Sequence, residues 1–167
     1  GYAVLKVNFR GSTGYGKRFL NAGNKQWGLK MHDDLIDAVQ WAVGEGIADP
    51  KKVCIYGGSY GGYAALAGAA FTPDVFKCAV DIVGPSNLLT LLATIPPYWA
   101  AMKGKFDARI GNAADPKELE LLKKASPLNA ADKIRIPLLI GQGANDPRVK
   151  QAESEQIVAA MEKNGLP

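Results

Sequence analysis

The sequence predicts an α/β fold, a mostly parallel sheet with helices on both faces. Two observations predict it. Apolar, strand-like runs at 3–9, 53–56, 78–83 and 134–140 alternate with stretches of helical periodicity at 30–43, 60–70 and 151–163. One of the strands passes through a tight glycine turn straight into a helix, at Val53 to Ala67. Residues 1–167 make one domain, and 84–133 form a helical excursion between two of the strands.

Taken in order, Ala3-Val4-Leu5-Lys6-Val7-Asn8-Phe9 reads as a buried strand, and Arg10 to Gly16 as a glycine-rich turn at its carboxyl end. Such a turn either edges an active site or is a loop shaped by Gly11, Gly14 and Gly16. From Lys30 to Val43, Leu35, Ile36, Val39, Ala42 and Val43 gather on one side, with Asp33, Asp37 and Gln40 opposite. His32, the only histidine, falls a turn before Leu35 and reads as a packed residue rather than a base. Asp33 and Asp34 suit the positive end of this helix, so no metal site is invoked. Asp49-Pro50 marks a turn before the next strand. After it, Tyr60 to Ala70 is rich in small residues that let a helix lie close to the sheet. Cys78 to Val83 is the next buried strand. Gly84 to Lys133 is far longer than the dozen or so residues a crossover needs, and its position suggests a cover over the site. The last helix turns Ile157, Ala160 and Met161 inward.

The organising motif is Gly57-Gly58-Ser59-Tyr60-Gly61, a G-x-S-x-G sequence between a strand and a helix. In that context the serine takes a strained backbone, and glycines two before and two after it let strand and helix approach. Its hydroxyl projects from the carboxyl end of the sheet, where the backbone N–H of Tyr60 can stabilise an oxyanion. A phosphate loop would want Lys and Ser/Thr after the last glycine; Tyr63 follows Gly62 instead. Elbow and alternation together give an α/β-hydrolase core with Ser59 as nucleophile. The partner acid should follow a later strand, as Asp146 does; Asp81, in a strand, and Asp107, in the excursion, are alternatives, and an Asp-Pro turn is the structural explanation of Asp146.

Composition excludes several classes. There are 20 basic and 16 acidic residues, a formal charge of +4, and no basic run longer than a pair, so no nucleic-acid surface is indicated. No apolar run is long enough to span a membrane and no signal peptide is visible. Cys54 and Cys78 read as two reduced, buried thiols, which fits a cytoplasmic location.

Gly57-Gly58-Ser59-Tyr60-Gly61-Gly62-Tyr63 resembles the elbow of the prolyl oligopeptidase family of serine peptidases, in its acylaminoacyl-peptidase-like and dipeptidyl-peptidase-like branches. Asn8-Phe9-Arg10-Gly11-Ser12-Thr13-Gly14-Tyr15-Gly16, Trp27-Gly28 with Asp33-Asp34, and Gly141 to Val149 match in the family's order across nearly the whole chain. The resemblance implies that Asp146 is the triad aspartate. It also implies an apolar pocket near Tyr60, Tyr63, Pro85, Leu88 and Val149, suited to a hydrophobic residue or proline. Arg148 either binds a substrate carbonyl or carboxylate or covers its loop. The family's histidine lies further beyond Asp146 than the 21 residues that follow it here, and the His-Gly-Gly-type loop with the second oxyanion donor precedes the strand at Ala3. The expectation is therefore a catalytic domain incomplete at both ends, with a β-propeller elsewhere in the parent chain, short peptides as substrate and no cofactor. A carboxylesterase of the same fold and a catalytically silent binding module are the alternatives.

Overall fold

A computed structural model describes residues 1–166. Three short parallel strands, β1 (Cys54–Gly58), β2 (Cys78–Ile82) and β3 (Leu138–Gly141), form a sheet in the order β1-β2-β3. Before it come α1 (Gly16–Asn21) and α2 (Lys30–Gly44). Helix α3 (Tyr60–Phe71) makes the β1-to-β2 crossover. The excursion holds α4 (Leu88–Ala93), α5 (Lys103–Arg109), α6 (Pro116–Lys124) and 3-10 turns at Pro97–Met102 and Pro127–Lys133; α7 (Gln151–Lys163) follows β3.

Local chemistry sets the ends of these elements. Asp115 caps α6 by accepting from the N–H groups of Lys117 and Glu118, Pro116 takes the first helical position, and Lys123 and Lys124 lie in the last turn. Asn87 caps α4 through the N–H of Leu89. Helix α3 is buried from Gly62 to Ala70, because its small residues let it settle onto β1 and β2. Leu66, Ala69 and Ala70 of α3 meet Ala79 of β2, Ile134, and Ile157 and Met161 of α7 in the main core. Ile55, Leu138 and Ile140 complete it from the same sheet face.

Two expectations fail here. Residues 1–9 form no regular secondary structure and pair with no strand, and Val4 is 82% exposed. A strand exists only through its neighbour's hydrogen bonds, and no strand lies beside this segment among the described residues. Among the described residues the α/β fold is incomplete, with one face of the sheet left bare. The core occupies one face, while Tyr56, Val80 and Leu139, register partners across the sheet, point to the other, where Tyr56 is 74% and Leu139 64% exposed. Lastly, Cys54 and Cys78 form a disulfide, because they are register partners on adjacent strands with Cα atoms 4.7 Å apart. The cysteines thus give no argument for a reducing, cytoplasmic compartment. No helix among the described residues is long and apolar enough to cross a membrane.

Candidate active site

Ser59 sits between the last residue of β1 and the first of α3, with φ 57° and ψ −115°. That is a costly backbone for a residue with a Cβ, and the surroundings hold it there. The Ser59 N–H donates to the Ile82 carbonyl at 2.9 Å and its carbonyl accepts from the Tyr63 N–H at 3.0 Å. A Cβ on Gly57 would overlap the backbone of Gly61, so the turn closes only with glycine there. Behind it, Cβ atoms on Gly62 or Gly84 would strike Asp81 and each other's backbone.

The serine side chain is exposed in a cleft of about 630 Å³. One wall is the 8–13 turn, with Asn8, Phe9 and Gly11. This turn is clamped from α2: Asp34 accepts from Arg10 Nε at 2.9 Å, Nη2 at 2.7 Å and the Arg10 backbone N–H at 2.9 Å. The pairing holds the Asp34 carboxyl below the usual carboxylate range. The opposite wall comes from the excursion, through Leu91, Leu92, Ile95, Trp99 and Phe106. These side chains line the cleft beside the exposed Ser59. Phe9 and Trp27 pack on the Tyr60 ring at centroid distances of 4.9 and 4.6 Å.

Asp146 lies in the loop after β3, two strands on from the elbow strand and at the same, carboxyl edge of the parallel sheet. Its Oδ1 accepts from the N–H groups of Val149 at 2.8 Å and Arg148 at 2.9 Å, which hold its pKa below the ordinary value. It is therefore ionised at neutral pH, with Oδ2 outside those bonds. Gln142 braces the loop, donating to the carbonyls of Gly143 and Val149 and accepting from Ser154 Oγ at 3.0 Å.

The remaining candidates divide. Pro85, Arg148 and Val149 line the cleft with Ser59 and Tyr60, and the Arg148 guanidinium lies 5.4 Å from the Trp99 ring centroid. Tyr63 and Leu88 do not. Tyr63 is wholly buried, its hydroxyl donating to the Ala125 carbonyl at 2.6 Å, and Leu88 is buried in the same small core beneath the excursion. Tyr63 lies four positions into α3 and packs against the rings of Trp27 and Tyr60, which line the cleft in its place. His32 is buried as read, with Nε2 2.9 Å from Thr72 Oγ1, and burial lowers its pKa. It is not among the cleft residues. Among the described residues no group of three His, Cys, Asp or Glu side chains converges as metal ligands.

A profile of the prolyl oligopeptidase family matches residues 1–167. The chain belongs to the prolyl oligopeptidase family. Within the family, dipeptidyl aminopeptidase BIII of Pseudoxanthomonas mexicana is 63% identical over 167 residues, all of this chain and 24% of that protein. Dipeptidyl peptidase family member 6 of Caenorhabditis elegans is 55% identical over all of this chain and 23% of its own length. The solved structure of a Mycobacterium tuberculosis puromycin-hydrolyzing peptidase superposes with a TM-score of 0.87 at 36% identity, over 96% of this chain and 23% of that one. The chain thus spans about a quarter of the relatives it matches, and its fold is that of the family's α/β-hydrolase core.

Sequence reading missed the Arg10–Asp34 clamp, Trp27 and the aromatic wall at Trp99 and Phe106. Arg10 and Asp34 stood in quoted motifs, but only the fold shows that they meet.

Proposed function

We propose that the parent protein is a serine peptidase that cleaves short peptides through an acyl-enzyme on Ser59. The observation that carries this reading is the strained Ser59 at a strand-to-helix turn, opening into a cleft with an apolar wall. Ser59 Oγ attacks the scissile carbonyl, the Tyr60 N–H stabilises the oxyanion, and ionised Asp146 orients the histidine that takes the serine proton. That histidine is not His32, which is buried against Thr72; it comes from the parent chain outside these residues. Pro85, Val149 and the Trp99 wall receive an apolar acyl side chain, and Arg148 holds a substrate carbonyl. Relatives that carry this segment are named as dipeptidyl peptidases, which supports peptides over esters. A β-propeller that restricts access to short peptides belongs to the same proposal.

The test is turnover of a dipeptidyl p-nitroanilide and of p-nitrophenyl acetate by the full-length parent, its Ser59→Ala and Asp146→Asn variants, and the 167-residue chain alone. The parent should cleave the anilide, with kcat falling about 10⁴-fold or more in either variant. The isolated chain should be slow and indifferent to His32→Ala. An active parent untouched by Ser59→Ala, or preferring the ester by far, overturns the reading.

A further inference from the structure

Beneath the cleft lies a buried polar cluster that the proposed chemistry does not use. Glu153, in the first turn of α7, is 2% exposed. Thr90 Oγ1 of α4 stands 2.7 and 3.0 Å from its two carboxyl oxygens. Gln156 Nε2 donates to the carboxyl and to Ser86 Oγ at 2.8 Å, and the Asn87 backbone N–H also reaches the carboxyl. Ser86 Oγ in turn donates to the Glu153 carbonyl at 2.5 Å. The cluster ties two parts of the site together. α7 begins five residues after Asp146, and Leu91 and Leu92 of α4 line the cleft.

The hydrogens can be counted. Thr90 has one hydroxyl proton, and it is claimed by the Asn87 carbonyl at 3.0 Å, inside the turn that starts α4. If Glu153 is protonated, its O–H donates to Thr90 Oγ1, which passes its own proton to Asn87, and every group is satisfied. If Glu153 is ionised, two acceptors compete for that proton, and the carboxylate gains it only by releasing the Asn87 carbonyl. No cation compensates. The groups facing Glu153 from α4, the β2–α4 turn and α7 are Thr90, Asn87, Ser86 and Gln156, all neutral, and the charged neighbours on its own element, Lys150 and Glu155, are exposed.

We propose that Glu153 is a positioning residue: protonated, its carboxyl latches the segment that carries Asp146 to the α4 wall of the substrate cleft, and ionised it releases that wall. Burial supports this by pushing the Glu153 carboxyl up to about 7, within the working range of a serine peptidase. The proposal rests on the peptidase reading of the cleft. It makes the alkaline side of the pH profile a property of substrate binding, since the wall moves while the nucleophile does not.

The experiment compares the full-length parent with Glu153→Gln and Glu153→Ala on Ala-Phe-p-nitroanilide from pH 6 to 9. An amide keeps a donor for Thr90 at every pH; alanine keeps none. In the parent, KM should rise about tenfold through an inflection between pH 7 and 8, while kcat follows the titration of the triad histidine alike in the parent and in Glu153→Gln. Glu153→Gln should lose that inflection, and Glu153→Ala should show the high KM throughout. An inflection that survives in Glu153→Gln, or Gln and Ala variants that behave alike, overturns the latch. Binding of the dipeptide Ala-Phe to Ser59→Ala, with and without Glu153→Gln, gives a readout free of catalysis. Weakening above pH 7 that Glu153→Gln removes upholds the latch even if the parent hydrolyses nothing. The same pH dependence in both, or no binding at any pH, overturns it.

Discussion

Tyr63 and Asp81 show how differently two residues near the elbow serve it. Tyr63 lies within the motif, yet its ring is walled in and its hydroxyl satisfies the Ala125 carbonyl. Tyr63→Phe should leave that buried carbonyl short of a donor and cost about 1–3 kcal/mol of stability. In the parent, KM for an apolar dipeptidyl anilide should barely change; a several-fold rise would return Tyr63 to the pocket. Asp81 is fully buried in β2, with Oδ1 accepting from the Gly84 N–H at 2.7 Å and Oδ2 without a partner. Burial drives its carboxyl up to about 7 despite that bond, against about 4 in an unfolded chain. The fold therefore prefers the protonated acid. The stability this confers is whole below about pH 4 and is lost as pH rises through 7. Asp81→Asn should flatten the decline in urea midpoint between pH 4 and 7, and an undiminished slope would place the titration elsewhere, with Glu153 the next group to replace.

At the scale of elements, what the sequence revealed and what it hid follow from the range of the interactions. The elbow was legible because its constraint is local: Gly57 must clear Gly61, four residues away. Asp146 was placed by counting strands, which needs only their order. The disulfide was invisible, since two cysteines 24 residues apart say nothing of register until β1 and β2 pair. Residues 3–9 have a strand's composition and lack a strand's neighbour. Tyr63 and Leu88 were assigned to the pocket by resemblance to the family, but burial depends on α6 and Ala125, far along the chain. The Cys54–Cys78 bond encloses the elbow and all of α3, a loop for which chain-entropy arguments give about 3 kcal/mol. Cys54→Ser should lower stability by about that amount, and reductant should then have no further effect on its urea midpoint. Equal midpoints for the two proteins without reductant would show the bond to be absent in solution.

For the molecule as a whole, the bare sheet face has a consequence for handling it. Tyr56, Val80 and Leu139 form a row across three strands, and β1 and β3 are both edges. An apolar strip bounded by unpaired backbone donors and acceptors is a template on which another copy can stack or add strands. Kept on its own, the 167-residue chain should sediment as a concentration-dependent mixture rather than one species. Replacing Tyr56 and Leu139 by lysine should return it to a single boundary without altering its far-ultraviolet dichroism. The polypeptide that most conveniently displays Ser59 is thus also a sticky one, and its colloidal behaviour, more than its folding, will set the concentration at which it can be studied.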